Sequence, residues 1–406
     1  MKYSYLFILL ISFCLFSCGG GGTYVPPEEP LENILTLELS FGAENVPEEF
    51  LLANPMDLDV DNQGRVYVSD ECRIKVFDEN GNPLNIIGNQ GQGPGEFEYP
   101  YMILLSISHS GHFMVNERLN GKISLFSPNG DFISRKYHQE FFLSKPILEK
   151  EGMMKTYPPG IFYLLGKDEI IFMIPSEISV SDNDEFTETL FYQNQDSILK
   201  VKSFEKRSII STENPSGREF FAPLGELSFT PLPGDRIVYS HSSYDHAEED
   251  GINSYLLNII NYRTMTEEKI KHQYEQMQLS DVEEFTSIYK ARIDNSASER
   301  GKAYPIAVLE KINEKVEQGL KCAPHRDIMT DGEFIFVFTF KKNENGAIFT
   351  DVFNADDMLY VCSAYFDFIP DRIKNGYAYR LKTAQDEFPV VEKYRINEAV
   401  YGRLLF

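Results

Sequence analysis

The stretch GNQGQGPGEF, residues 88–97, stands between two segments that repeat the same pattern of short strands. Before it come four alternating or apolar runs separated by turn signals, at residues 56–60, 65–68, 73–77 and 83–87. Runs of this kind are typical of β-strands joined by tight turns. After it the pattern resumes at Pro100, about 45 residues beyond Pro55, which is the usual length of a propeller blade. Residues 88–97 therefore predict the crossing between two four-stranded blades of a β-propeller.

The rest of the chain carries weaker copies of this repeat. A second blade is predicted to end near residue 133, and later blades over residues 159–204, 223–272, 328–365 and 369–396. The last of these is one strand short, while the alternating run LTLEL at residues 35–39 has no place in the first blade. Pairing this run with the last blade would close the ring. The predicted fold is an all-β, six-bladed propeller of four-stranded blades, closed by the N-terminal strand.

A helical hairpin is predicted at about residues 280–320, between the fourth and fifth blades. The first helix is expected to start with a capping box at Ser280 and Glu283, and the second at Pro305. The second helix carries an apolar stripe, formed by Ile306, Leu309, Ile312, Val316 and Leu320. Such a stripe serves packing in most proteins, although it could also form a cap over one mouth of the propeller.

The strongest repeat resembles a known family. Its signatures are PMDLDVDNQGRVYVSD at residues 55–70, IKVFDENG at 74–81 and GQGPGEF at 91–97. They resemble an NHL repeat and, more narrowly, the six-bladed β-propeller lipoproteins of gut anaerobes. This resemblance implies the fold and a cell-envelope location. It implies little chemistry, because members of that family mostly have no assigned activity.

The N-terminal residues are typical of a bacterial lipoprotein. Lys2, the apolar residues 5–16 and the sequence LFSC at residues 15–18 predict a signal peptide over residues 1–17, with Cys18 as the lipid-bearing residue. An ordinary secretory signal or an anchor helix is the alternative, but the apolar stretch is short for a membrane span. Residues 18–30, rich in Gly and Pro, are predicted to be a flexible tether, and residues 31–406 the propeller. The protein is expected in the envelope of a Gram-negative bacterium, on either membrane face.

Charge and cysteine content narrow the classes of partner. The net charge of the 406 residues is −24, and Lys and Arg form no cluster that could bind a nucleic-acid backbone. An acidic surface of this size could attract basic partners or could simply be solvated. Within the predicted propeller, Cys72, Cys322 and Cys362 allow one disulfide and a free thiol, or three buried thiols. A monomer is expected.

Motifs for metals or catalysis are weak. The acidic positions between Asp59 and Asp70 imitate a calcium-binding loop, but strands flank them, so residues 62–64 are predicted to be a hairpin turn. The pairs His109 with His112 and Cys322 with His325 have metal-like spacing without a matching second half. The sequence contains no Gly-x-Ser-x-Gly elbow. No cofactor is expected.

The start of each innermost strand is the most promising place for a ligand. These positions approach the central channel, where converging polar groups form the default binding site of such a fold. The candidate ligand-binding residues are Asp57, Tyr101, His325, Arg326, Asp371 and Arg372. Alternatively, Asp371 pairs with Arg326 or Arg372 and plugs the channel.

Two classes of function fit this pattern. The first is a non-catalytic binding or interaction platform for a glycan, a peptide or an envelope protein. The second is a metal-dependent hydrolase or lyase, because NHL-like propellers include enzymes that hold a metal in the channel. Such an enzyme would have only Asp57, His325 and Asp371 as ligands, and arginines beside two of them would repel a cation. The sequence therefore favours binding.

Overall fold

The computed structural model describes residues 26–44, 46–141, 155–156, 161–179, 184–205, 209–211, 218–220, 222–384 and 387–403. These residues form six antiparallel four-stranded blades around a central channel, which confirms the predicted fold class. The predicted signal peptide and Cys18 lie outside the described residues. None of the described helices is both long enough and apolar enough to cross a membrane.

Each blade begins with its innermost strand. From the channel outwards, blades 1 to 3 comprise Pro55–Val60, Val66–Asp70, Arg73–Phe77 and Pro83–Ile87; Ile103–Ile107, Phe113–Glu117, Lys122–Phe126 and Phe132–Tyr137; and Phe162–Gly166, Glu169–Ser179, Asp184–Gln193 and Ile198–Glu205. Blades 4 to 6 comprise Leu227–Leu232, Arg236–His241, Ile252–Asn261 and Thr266–Gln273; Asp327–Asp331, Phe334–Lys342, Ile348–Asn354 and Leu359–Phe366; and Arg372–Lys374, Tyr377–Ala384, Glu387–Ile396 and Leu35–Phe41.

A few shorter elements lie outside this plan. Lys155–Thr156 and His246–Glu249 are extra strands on blades 3 and 4, and Ile209–Ser211 pairs with Arg218–Phe220 as a separate hairpin. The described α-helices are His138–Phe141, Glu283–Asp294 and Glu299–Glu317, and the 3-10 helices are Glu48–Phe50, Ala222–Leu224, Leu279–Asp281 and Glu398–Tyr401.

The N-terminal strand closes the ring, as predicted. Leu35–Phe41 pairs antiparallel with Glu387–Ile396, so that Leu35 lies opposite Ile396 and Phe41 opposite Val391. Phe41 is buried in the core between blades 6 and 1, and Ile34, just before the strand, is buried between blades 5 and 6. The edge of Glu387–Ile396 is therefore covered by a hydrogen-bonded neighbour. The last blade joins a strand from near the N-terminus to strands from near the C-terminus.

Residues 88–97 form the crossing from blade 1 to blade 2, again as predicted. The N–H of Phe97 donates to the carbonyl of Asn89 at 2.8 Å, and the N–H of Gly91 donates to the carbonyl of Phe97 at 3.0 Å. These bonds fold the glycine-rich loop back on itself and insert the Phe97 ring, which is fully buried, between the two blades. Gly88 has a φ of +80°, and a Cβ there would collide with this ring.

Each pair of neighbouring blades shares its own apolar core. Between blades 1 and 2, for example, the rings of Tyr67 and Phe113 lie 5.3 Å apart, and Phe113 stacks on Phe126 at 4.8 Å. Six small cores of this kind let a long chain fold without dividing into domains. Cys72, Cys322 and Cys362 are buried free thiols, so the alternative with one disulfide is wrong.

The helical insertion exists, but its helix starts differ from the prediction. A capping box forms between Gln278 and Asp281, at the 3-10 helix Leu279–Asp281, and the first α-helix begins only at Glu283. The second helix begins at Glu299, because the Oγ of Ser298 accepts a hydrogen bond from the N–H of Gly301, and Pro305 lies inside the helix.

The apolar stripe of the second helix is used for packing. Val308 and Ile312 are buried against Leu279 and Tyr289 in a small core of their own, while Ile306 and Leu320 are exposed. The buried face is therefore turned slightly from the one predicted. The described residues of the insertion do not line the channel-mouth cavity described below, which favours the packing interpretation over a cap.

Candidate binding site at the channel mouth

The face of the propeller at which the innermost strands begin carries the long connections between blades. We call it the upper face; it is marked by Pro55, Ile103, Phe162, Leu227, Asp327 and Arg372. The connections over residues 138–161, 206–226 and 274–326 all begin and end there, because each blade ends where the next begins. In blade 3 the pairing of the second and third strands continues to Ser179 and Asp184, beyond the innermost strand. In repeat proteins, insertions gathered on one face often mark the binding face.

A cavity of about 260 Å³ opens into the channel at the upper face. Its polar lining includes the carboxylates of Asp57, Asp327 and Asp371 and the guanidinium of Arg372. Its apolar lining comes from the innermost strands of blades 2, 3 and 4, at Leu105, Phe162 and Phe229 among others. The site thus combines several acidic groups with an apolar wall.

Arg372 links blade 6 to the neighbouring blade 1 at the channel. Its Nε donates to Oδ1 of Asp59 at 3.1 Å, and its Nη2 lies 3.6 Å from Oδ1 of Asp57. Its Nη1 donates to the backbone carbonyl of Asp371 at 2.7 Å. The alternative interpretation expected Asp371 to pair with an arginine. In the structure Arg372 is paired, but its carboxylate partners belong to blade 1.

Asp57 and Asp59 are held in place by the neighbouring blade. Oδ2 of Asp57 accepts the N–H of Leu105 at 2.8 Å, and Oδ2 of Asp59 accepts the N–H of Ile107 at 2.7 Å. Both donors belong to the innermost strand of blade 2. The carboxylates therefore have fixed positions before any ligand arrives, which lowers the ordering cost of binding.

Burial raises the pKa of all three carboxyl groups at the mouth, including that of Asp371. The pKa of Asp57 is raised to about 6 by loss of hydration, against the opposing charge of Arg372. The pKa of Asp327 is also raised to about 6, again because burial disfavours the charged form. A ligand that brings positive charge would favour ionisation of these groups.

Three of the six candidate residues meet at this mouth, and the other three lie elsewhere. Asp57, Asp371 and Arg372 line the cavity, whereas Arg326 and Tyr101 do not. Tyr101 is exposed on the outer surface, next to Met102, whose φ is +57°. Arg326 is half-buried and its N–H donates to the carbonyl of Phe338 within blade 5.

His325 occupies the interior rather than the channel mouth. It is 1% exposed, its Nε2 lies 2.8 Å from Oγ of Ser240, and its ring packs against Tyr255. Burial, with smaller contributions from His241 and His246, lowers its pKa to about 3. His325 is therefore a neutral, buried link between blades 4 and 5, and the expectation that it would face the channel is wrong.

The sequence analysis missed Asp327, which lines the mouth beside Asp57 and Asp371. The signal was available, because Asp327 is the first residue of an innermost strand, as Arg372 is in blade 6. His325 and Arg326 were predicted instead because they directly follow Pro324, which indicated the start of the strand, whereas the strand begins at Asp327.

The opposite mouth of the channel is larger, at about 750 Å³. Its charges are mostly paired: Arg263 lies 2.8 Å from Glu169 and 2.9 Å from Asp235. Arg372 lines both cavities and so stands at the narrow point between them. Short hairpin turns surround this second mouth. One of them is the turn after Asp61, which confirms that residues 62–64 are a hairpin.

Among the described residues, no group of three or more His, Cys, Asp or Glu is arranged to hold a metal ion. His109 lies 3.0 Å from Asn62, and His112 lies 3.0 Å from Ser110, so each imidazole of that pair has a different partner. Cys322 is buried against Val282 and Phe340.

Comparisons with other proteins found one family model and several solved structures that resemble this chain. A family model described as a 6-bladed beta-propeller, DUF5128, matches residues 37–154. A DUF4221-family protein from Bacteroides vulgatus is 14% identical with a TM-score of 0.47, over 89% of this chain and 98% of that one. A Bacteroides fragilis protein that carries the description of an exported protein is 10% identical with a TM-score of 0.42, over 92% and 98%. The comparison with curated proteins found no match. The chain is thus similar in fold to other six-bladed propellers.

Proposed function

We propose that this protein is a non-catalytic binding protein of the cell envelope, and that it binds a basic peptide at the channel mouth of its upper face. One observation carries the proposal. Three carboxylates line the mouth, while its one lining arginine, Arg372, is already paired with Asp57 and Asp59. The mouth therefore keeps an excess of negative charge for a cationic ligand to neutralise.

The dimensions fit a side chain better than a folded partner. A cavity of about 260 Å³ accommodates one lysine side chain, whose methylene groups would lie against Phe162 and Phe229. The remaining residues of the peptide would extend over the upper face. A glycan is less suited, because a neutral sugar would not balance the excess of carboxylates at the mouth.

Binding of tri-lysine should strengthen as the pH rises through 6. At pH 5, carboxyls with pKa values of about 6 are mostly protonated, and at pH 7.5 they are ionised without an additional cost. We expect the association constant to rise roughly tenfold between these pH values for each carboxylate that contacts the ligand. Calorimetric titration at constant ionic strength measures this directly.

The matched variants are Asp327→Asn and Glu344→Gln. Asp327 lines the mouth, whereas Glu344 is exposed in the turn between two strands of blade 5. We expect Asp327→Asn to lose most of the binding at pH 7.5 and about half of the pH dependence, and Glu344→Gln to bind like the parent protein. Equal binding by both variants, without pH dependence, would show that tri-lysine binds to the acidic surface in general.

The envelope location rests on the N-terminal residues. Cleavage before Cys18 and lipidation of its thiol would attach the propeller to a membrane through the tether at residues 18–30. Expressed with its own signal in a Gram-negative host, the full chain should sediment with membranes, and Cys18→Ser should move it to the soluble fraction. Cys14→Ser, four residues away, is the matched control and should leave the protein in the membrane fraction. Membrane association of the Cys18→Ser protein would contradict lipid anchoring.

The alternative of a metal-dependent hydrolase or lyase has no supporting constellation among the described residues. His325, one of its three expected ligands, is buried away from the channel mouth. We therefore do not propose it.

A further inference from the structure

A second, smaller cavity lies between the outer parts of blades 4 and 5, where the chain leaves blade 4 for the helical insertion. It has a volume of about 150 Å³. Tyr274, Met277 and Phe349 provide apolar walls, and the polar lining includes His272, Lys341 and Asp351. None of these residues lines either mouth of the channel, so this cavity is separate from the proposed peptide site.

Asp351 is the unusual group in this cavity. The residue is only 2% exposed, although it lines the cavity wall. Its Oδ1 accepts a hydrogen bond from the Oγ of Ser363 at 2.7 Å, and its Oδ2 accepts one from the hydroxyl of Tyr255 at 2.8 Å. Both donors are neutral, so they orient the carboxylate without balancing its charge.

The basic side chains near Asp351 are either paired with another carboxylate or uncharged. Nε2 of His272 lies 3.8 Å from Oδ2 of Asp351, but burial lowers the pKa of His272, and its ring stacks on Tyr360 at 4.7 Å. Nζ of Lys341, at the rim of the cavity, lies 2.7 Å from Oε2 of Glu275. The ion-pair contact that the structure shows for Asp351 is therefore one with an imidazole.

A buried carboxylate is normally paired with a cation, because removing its charge from water is costly. Here the charge faces an open volume with aromatic walls, which is the environment that an alkylammonium group requires. The ammonium would contact Asp351, and its hydrocarbon chain would lie along Met277 and Tyr274, because the Phe349 ring already carries the ammonium of Lys341 at 5.3 Å from its centroid.

We propose that this cavity binds a primary alkylammonium group, such as the side chain of a lysine. The inference does not depend on the function proposed above, because it concerns other residues in another cavity. It gives the protein a second point of contact for a basic ligand, at the base of the helical insertion.

Thermal unfolding with n-butylammonium chloride tests the proposal, with 1-butanol as the neutral probe of similar size and sodium chloride as the ionic-strength control. A ligand that binds only the folded protein raises its melting temperature. We expect n-butylammonium at ten times its dissociation constant to raise the melting temperature by about 1 to 2 °C, and 1-butanol not to do so.

Two variants in the cavity, each made in the Asp327→Asn background so that the channel mouth does not contribute, give independent readouts. Asp351→Asn keeps an acceptor for Ser363 but removes the charge, and it should abolish the response to n-butylammonium. Ala323→Leu adds carbon atoms to the cavity wall without altering Asp351, and it should abolish the response through loss of space. The two cavity variants change different residues in different ways. If one of them fails to fold, the other still tests the proposal.

Asp327→Asn separates this site from the channel mouth. It should keep the response to n-butylammonium even if tri-lysine no longer binds. A response that survives in both cavity variants, or one that 1-butanol reproduces, would overturn the proposal. A response already lost in Asp327→Asn alone would assign the alkylammonium to the channel mouth and would also overturn the proposal.

Discussion

A truncated protein that begins at Gly42 is expected not to form a stable monomer with a closed ring of blades. This truncation removes Leu35–Phe41, the strand that completes blade 6. It also removes the buried side chains of Ile34 and Phe41, each of which contributes about 1.5 to 3 kcal/mol of apolar burial. With the ladder hydrogen bonds, at about 0.5 to 1.5 kcal/mol each, the loss is comparable to the whole stability of a typical domain.

The exposed edge of Glu387–Ile396 should then pair with other chains. Size-exclusion chromatography with light scattering should show aggregates or higher oligomers, and circular dichroism should show a melting temperature lowered by tens of degrees or no cooperative transition. A chain that begins at Pro26 keeps the closing strand and is the matched control, which should remain monomeric. If both truncations gave monomers with the same melting temperature, the closing strand would not stabilise the ring.

The parts of the fold that depend on local pattern were predictable. Blade strands such as Arg73–Phe77 alternate in hydrophobicity, and turns such as residues 62–64 carry their own signals, so neither requires knowledge of the tertiary structure. The spare strand at residues 35–39 could be placed because one blade lacked a member. The start of the second insertion helix was missed because Pro305 is a conspicuous helix-start signal, whereas the cap that forms uses the less conspicuous Ser298.

The site was less predictable because its contacts cross the ring. Arg372 and Asp59 are 313 residues apart in the chain and meet only because blade 6 closes against blade 1. Side-chain direction at a strand start also depends on the turn before it. His325 points between blades 4 and 5, while Asp327, two residues later, reaches the channel mouth. Sequence position located the correct ends of the strands but could not assign the direction of each side chain.

Phe97→Ala should cost about 3 to 5 kcal/mol of unfolding free energy, the usual penalty for emptying a fully buried phenylalanine site. The ring lies in the core between blades 1 and 2, with its centroid 6.1 Å from that of Phe126, and the loop around it is tied by backbone hydrogen bonds. The residues that surround the ring come from two rigid sheets, so the cavity cannot collapse easily.

Phe388→Ala is the matched control, because Phe388 is 61% exposed and its removal should change stability by less than about 0.5 kcal/mol. Urea unfolding followed by fluorescence or circular dichroism measures both. A similar small change in both variants would mean that the glycine-rich loop only connects the blades. A large loss in Phe97→Ala alone would show that the loop anchors the second blade to the first.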